Sequence, residues 1–198
     1  MGTVLQGALI VTAADQYCGD LRMEGEKITA IGRGVTQPHD TVIPLEGCLL
    51  FPGGIDPHTH FDLPVGTIRT ADDFASGSRA ALLGGTTTII DFATQFRGET
   101  LSQALENWHS LASGKCYTDY GFHMAITDWN EEIAREMKTL TTSAGVSSFK
   151  LYMAYKHILQ VDDGALLSAF QAAAKVGALI CLHCENGDVI DSLVKQSL

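Results

Sequence analysis

His58 and His60 lie in the stretch Phe51-Pro-Gly-Gly-Ile-Asp-Pro-His-Thr-His60. Side chains two apart on a β-strand share a face, so an H-x-H spacing aims both imidazoles the same way, where they can grip one metal ion. The bland alternative, two ordinary buried polar residues, stays open on this motif alone. Gly53-Gly54 lets the chain bend sharply into the strand, and the apolar or small residues around it predict a strand buried on both faces, as in a parallel sheet. That places the histidines at a strand C-terminus, where barrels of alternating strands and helices assemble their chemistry.

Lys150 is the second unusual residue. In Val146-Ser-Ser-Phe-Lys-Leu-Tyr152 the strand alternation puts Ser148, Lys150 and Tyr152 on one face and Phe149 and Leu151 on the other. An ammonium inside a strand is costly to bury and loses its proton before it is left unpaired. It either reaches solvent or pairs with an acid such as Asp91, or it stays neutral and combines with carbon dioxide. The resulting carbamate is an anion whose two oxygens can bridge two divalent ions. His183 ends the run Ala178-Leu-Ile-Cys-Leu-His183 and could serve the second ion; a lone histidine there also reads as a satisfied core residue.

Those residues need a scaffold of strand–helix repeats, and the chain carries one. Strands start near 55, 86, 119, 147 and 179, at spacings of 31, 33, 28 and 32 residues, the period of β-α units with right-handed crossovers. Helices between them show their ends. Thr70 with Asp73 predicts one start, with Phe74, Ala80 and Leu83 inward and Gly84-Gly85 as the stop. Thr100 with Gln103 predicts the next, with Leu101, Leu105, Trp108 and Leu111 buried and Gly114 at its end. Asn130 caps a third carrying Ile133, Met137 and Leu140. Asp162 or Asp163 caps a fourth, with Leu166, Phe170 and Ala174 inward and Gly177 at its end. The fold class is α/β. An open five-stranded parallel sheet is the alternative to a TIM-like (β/α)8 barrel, of which about five units are present. His60, Asp91, Tyr152 and His183 fall at or just beyond strand C-termini, which favours the barrel. Residues 1–50 instead alternate short apolar runs with glycine turns and predict a small β domain of hairpins; 51–198 form the barrel portion.

The 198 residues carry 45% hydrophobic and 18% charged side chains and a net charge of -10, with 13 Lys and Arg that form no run. A basic nucleic-acid surface is therefore not expected, nor a membrane span, since no stretch approaches the ~20 apolar residues one needs. A cytoplasmic protein acting on a small molecule is the expectation. Five cysteines form no disulfide framework. Cys181-Leu-His-Cys184 lacks the second pair of a zinc ribbon and the fold position of a redox motif, so both cysteines read as packing residues.

Pro52-Gly-Gly-Ile-Asp-Pro-His-Thr-His60, Gly84-Gly-Thr-Thr-Thr-Ile-Ile-Asp-Phe92, Phe149-Lys-Leu-Tyr-Met-Ala-Tyr155 and His183-Cys-Glu-Asn186, in this order, resemble segments of the dihydropyrimidinase and D-hydantoinase family of cyclic amidohydrolases. The resemblance runs the whole chain and implies a small N-terminal β-sandwich domain beside a distorted TIM barrel. It implies two zinc ions per complete subunit, with His58 and His60 on one, Lys150 bridging as N6-carboxylysine, and His183 on the other. It implies that Tyr155 donates its hydroxyl to the substrate carbonyl as that becomes an oxyanion, that Leu63 and Leu159 wall the pocket for the ring substituent, and that the complete protein is a homotetramer. The activity implied is opening of a dihydropyrimidine or 5-substituted hydantoin to an N-carbamoyl amino acid. A fourth histidine and a metal-binding aspartate are implied on strands beyond residue 198.

Related readings are a dihydroorotase or allantoinase with the same metal centre, and a non-catalytic scaffold of the same fold. A dihydroorotase would carry an arginine two residues after the second histidine, where this chain has Asp62. A scaffold would have lost ligand residues, whereas the four positions seen in this chain are intact.

Overall fold

A computed structural model describes residues 1–197 and divides the chain into two compact units, Met1–Gly53 and Gly54–Leu198. In the first unit, β1 (Thr3–Val11), β2 (Gln16–Glu24) and β3 (Lys27–Gly32) form an antiparallel meander. Next, β4 (Thr41–Pro44) and β5 (Leu49–Leu50) run parallel to β1. The hairpins are as predicted, but the two parallel additions are not, because four- and two-residue strands leave almost no periodicity to read. One ion pair is withdrawn from solvent: the Arg22 guanidinium donates through Nε and Nη2 to Asp40, at 2.8 and 3.0 Å. With main-chain donors from Gln37 and Gly2 added, Arg22 holds the Asp40 carboxyl well below the usual carboxylate range.

The second unit is built on β6 (Gly54–Thr59), then a two-stranded ribbon of β7 (Pro64–Val65) and β8 (Ile68–Arg69). It continues with α1 (Phe74–Leu83), β9 (Thr86–Thr94), α2 (Leu101–Ala112), β10 (Asp119–Ala125), α3 (Glu131–Ser143), β11 (Ser148–Tyr152), α4 (Asp163–Val176), β12 (Leu179–His183) and α5 (Gly187–Ser197). Five strands pair in parallel in the order β6-β9-β10-β11-β12. Neighbours in the sheet are thus successive strands of the chain, with no switch point at which the winding reverses. Right-handed crossovers then lay every helix on one face, which is the winding of a barrel wall and not of a doubly wound open sheet. The fold is five strands of a partial TIM barrel.

The helix face carries the core. Ile89 and Ala93 of β9, Phe122 and Met124 of β10, and Phe149 and Leu151 of β11 meet Phe74, Leu101, Leu105, Trp108, Ile133, Met137, Leu140 and Leu166 from the helices. Burying each large apolar side chain contributes ~1.5–3 kcal/mol, so this layer is the unit's principal source of stability. Odd-numbered core positions on β9 and β11 leave Phe92, Ser148, Lys150 and Tyr152 on the opposite, inner face.

Several local expectations differ. Helix α1 is capped by Asp73 with Ser76, not by Thr70, whose hydroxyl instead accepts from Leu63 N. Its buried residues are Phe74, Gly77 and Ser78, while Ala80 and Leu83 face out. Small residues are buried because the helix lies close to the Phe61 ring. On α4, capped by Asp162, Ala169 and Ala173 face inward in place of Phe170 and Ala174, one position out of register with the prediction. Among the described residues strand β6 pairs with β9 alone and is exposed along nearly its whole length, where the sequence reading has both faces buried. Thr100, Asn130 and Gly177 cap as predicted.

Candidate active site

At the C-terminal ends of the five strands a cavity of about 500 Å³ opens, lined by His58, His60, Lys150, Tyr152, Tyr155 and His183 and walled by Leu63, Val65, Ile158 and Leu159. Every predicted site residue lies on it. The volume is in the range that holds a small ligand.

The two histidines are set by a local irregularity. Pairing of β6 with β9 slips between Asp56 and Thr59, so that the strand bulges across Pro57-His58. Bulges re-aim side chains next to active sites. Here the rings of His58 and His60 end 5.1 Å apart, edge to face. Both rest on Phe92, at 4.7 and 4.9 Å, and His123 packs against the same ring at 4.8 Å. The carbonyl of Pro57 accepts from His123 Nε2 at 2.9 Å, and Ser148 Oγ takes up the other ring nitrogen of His123. Phe92, itself buried, is the floor on which this arrangement stands.

His60 Nδ1 is buried and has no hydrogen-bond partner among the described residues. Burial, then His58 and Lys150, pushes its pKa down and so favours the neutral ring, the form in which imidazole binds metals. Lys150 Nζ lies 5.6 Å from the centre of the Phe92 ring and 5.4 Å from that of Tyr152. Among the described residues it has no acidic partner. His183 faces Glu185 through Nε2, and its ring lies 5.9 Å from Tyr152 and 5.2 Å from Tyr155. No three histidine, cysteine, aspartate or glutamate side chains of the described residues converge to hold an ion by themselves.

Asp91 corrects the sequence reading twice. It lies within β9, not at its end, and on the helix face between Ile89 and Ala93, behind the cavity. Its carboxylate accepts from Thr59 Oγ1, Phe61 N and Phe92 N, and Lys150 is not among its partners. Burial pushes its pKa up against these three donors and the Trp108 side chain.

Tyr155 adopts a left-handed conformation, φ 65°, and its carbonyl accepts main-chain N–H bonds from Ile158, Leu159 and Gln160. Such strain in a non-glycine residue is held only where the surroundings enforce it and gathers at functional sites. The tight turn leaves the side chain half exposed at the cavity mouth. Tyr152 behind it is buried, and burial, then Tyr155, raises its hydroxyl pKa to about 12. Asp62, also left-handed at φ 53°, is bound to Arg69, which donates to the Asp62 carbonyl at 2.8 Å.

Sequence reasoning did not find Phe92, His123 or the clamp on Thr59 and Phe61. Phe92 and His123 sit on the inner face by simple alternation, so a register drawn from Asp91 and Met124 outward would have reached them.

The model of the amidohydrolase family matches residues 49–195. The D-hydantoinase of Geobacillus stearothermophilus is 48% identical over 198 residues, 100% of this chain and 42% of that protein. The dihydropyrimidinase of Rattus norvegicus is 39% identical over 200 residues, 98% of this chain and 38% of that protein. The crystal structure of dihydropyrimidinase from Brevibacillus agri superposes with a TM-score of 0.96 at 43% identity, covering 100% of this chain and 43% of that one. The chain therefore spans less than half the length of these relatives.

Proposed function

The chain belongs to the amidohydrolase family, and from that membership and the cavity at its strand ends we propose that the protein hydrolyses a small cyclic amide, a dihydropyrimidine or a 5-substituted hydantoin, with the help of metal ions. The observation that carries this reading is Lys150, a lysine on the inner barrel face without an acidic partner, in the same cavity as His58, His60 and His183. A surface charge does not account for it. As a free amine Lys150 can add to carbon dioxide, forming one N–C bond and releasing one proton, and the carbamate supplies the oxygen donors the histidines need. The buried Nδ1 of His60, without a partner among the described residues, fits the same role. His58 and His60 would hold one zinc ion and His183 a second, with carboxylated Lys150 between them. Bound there, the ions would supply a nucleophile near neutral pH and polarise the scissile carbonyl.

The remaining work falls to the chain's own groups. Tyr155, at the cavity mouth, donates its hydroxyl to the carbonyl oxygen as negative charge develops there, a contribution that for one well-placed donor is ~3 kcal/mol. Leu63, Val65, Ile158 and Leu159 exclude water and receive an apolar ring substituent. At the position where a dihydroorotase would carry its arginine stands Asp62, which is paired with Arg69 and offers a dihydroorotate carboxylate no cation.

The test uses the complete protein, with every strand of the barrel, supplied with zinc. Dihydrouracil and a 5-substituted hydantoin are expected to open to N-carbamoyl amino acids, with dihydroorotate much poorer in kcat/KM. Lys150→Ala should abolish turnover and release metal. Lys150→Arg should fail as well, because a guanidinium stays protonated. A short carboxylic acid added to the alanine variant should restore part of both. Near-normal turnover and metal content in Lys150→Ala would remove the reading.

A further inference from the structure

We infer that Asp91 is a positioning residue for His60: from the helix side of β9 its buried carboxylate holds the residues on both sides of that histidine, Thr59 through its hydroxyl and Phe61 through its main-chain N–H. The inference begins with the geometry of an interrupted ladder. Strand β6 stays paired with β9 as far as Thr59, which sits opposite Asp91. Beyond it the chain turns away, and the N–H of Phe61 would have no strand carbonyl to bond. Asp91 Oδ2 takes that N–H at 2.9 Å and the Thr59 hydroxyl at 2.8 Å. These are the residues immediately before and after His60. The other oxygen, Oδ1, accepts from Phe92 N at 2.7 Å, which fixes the carboxylate itself. Phe92 in turn stacks under the His60 ring, with centroids 4.9 Å apart.

The placement is costly unless it does something. Asp91 is 1% exposed and lies between Ile89 and Ala93, in a layer otherwise made of apolar side chains. A buried carboxylate is expensive even when hydrogen-bonded, and an apolar residue of similar size would serve packing better. What an apolar residue cannot do is accept two hydrogen bonds that straddle one histidine. With both flanking residues tied, the imidazole is presented to the cavity in one orientation, as orienting partners of metal-binding histidines do. The inference rests on the proposed metal centre only for its consequence; the constraint on His60 is a property of the chain alone.

The experiment measures both. In Asp91→Asn the amide keeps the shape but turns one acceptor into a donor, so one of the three N–H or O–H groups faces another donor. Proton–nitrogen correlation spectra of the histidine rings, recorded without metal, should show His60 as one tautomer in the parent chain. They should show it broadened or averaged in Asp91→Asn, with His183 unchanged. The zinc dissociation constant, from competition with a chelator, should rise ~10- to 100-fold. Thr59→Val keeps the carboxylate and the Phe61 bond and should give a smaller rise. It carries the test if Asp91→Asn fails to fold. Lower thermal stability with an unchanged His60 spectrum and unchanged zinc affinity in both variants would overturn the inference and leave Asp91 a structural residue. If the complete protein binds no zinc, the metal reading falls, and the His60 spectrum still decides the role of Asp91.

Discussion

Replacing Gly77 by alanine should destabilise the protein, although the helix it sits in favours the change. Gly77 lies inside α1 and is not among the residues with positive φ, so alanine meets no backbone strain there. Helix propensity alone would stabilise the variant by about 1 kcal/mol. A Cβ at this position, however, would stand 2.2, 2.5 and 2.6 Å from Cε1, Cζ and Cδ1 of Phe61. Carbons in contact keep ~3.5 Å, so the ring would have to withdraw by roughly 1.3 Å. It is poorly placed to do so: its main-chain N–H is held by Asp91, and its edge packs on Phe74 with ring centroids 5.7 Å apart. Overpacking of this kind costs ~1–3 kcal/mol, which offsets the propensity gain and leaves a net loss of about 1 kcal/mol. For a chain of this size that corresponds to a fall in Tm of about 2–4 °C. Thermal denaturation of a double-mutant cycle isolates the cause. In a Phe61→Leu background, where the far end of the ring is gone, Gly77→Ala should be neutral or stabilising. A Tm that rises equally in both backgrounds would refute the close packing of α1 on Phe61. Because Phe61 follows His60, the single variant should also weaken zinc binding, and the double variant should recover part of it.

Tyr155→Phe keeps the ring and should leave Tm unchanged while kcat falls by ~10²–10³, the usual cost of one oxyanion donor; unchanged kcat would remove Tyr155 from the chemistry. In the first unit, Arg22 holds the folded pKa of Asp40 below its unfolded value, so the stabilisation is complete above the unfolded aspartate pKa of about 3.9 and is lost as pH falls toward the folded value. The Tm gap between the parent and Asp40→Asn should therefore be flat near neutral pH and shrink below about pH 4; a gap that widens on acidification would contradict the pairing. Thr100 accepts from Gln103 N at 3.1 Å at the start of α2, so Thr100→Ala should cost about 1 kcal/mol in urea denaturation; no measurable loss would mean that the cap is idle.

Local rules, read along the chain, determined a good deal of this protein. The β-α period was legible because each strand–helix unit must carry its own alternation, cap and stop. Thr100, Asn130 and Gly177 obey rules that involve only neighbouring residues. The shared face of Ser148, Lys150 and Tyr152 follows from strand geometry, whereas His58 and His60 are brought together across the bulge at Pro57-His58. What needed the tertiary structure was whatever depends on a second element. Which face of α1 is buried was decided by Phe61 reaching under the helix to Gly77, which favours small residues over the apolar stripe of Ala80 and Leu83. Asp91 shows the difference most clearly. Its presence at the end of a β-branched run is plain in the sequence, and suggests a partner for Lys150. Its side chain points to the other face because alternation from Ile89 and Ala93, both committed to the helix layer, leaves it no choice. The bulge at Pro57-His58 then brings Thr59 and Phe61 into its reach, a pairing across some thirty residues that no local pattern encodes.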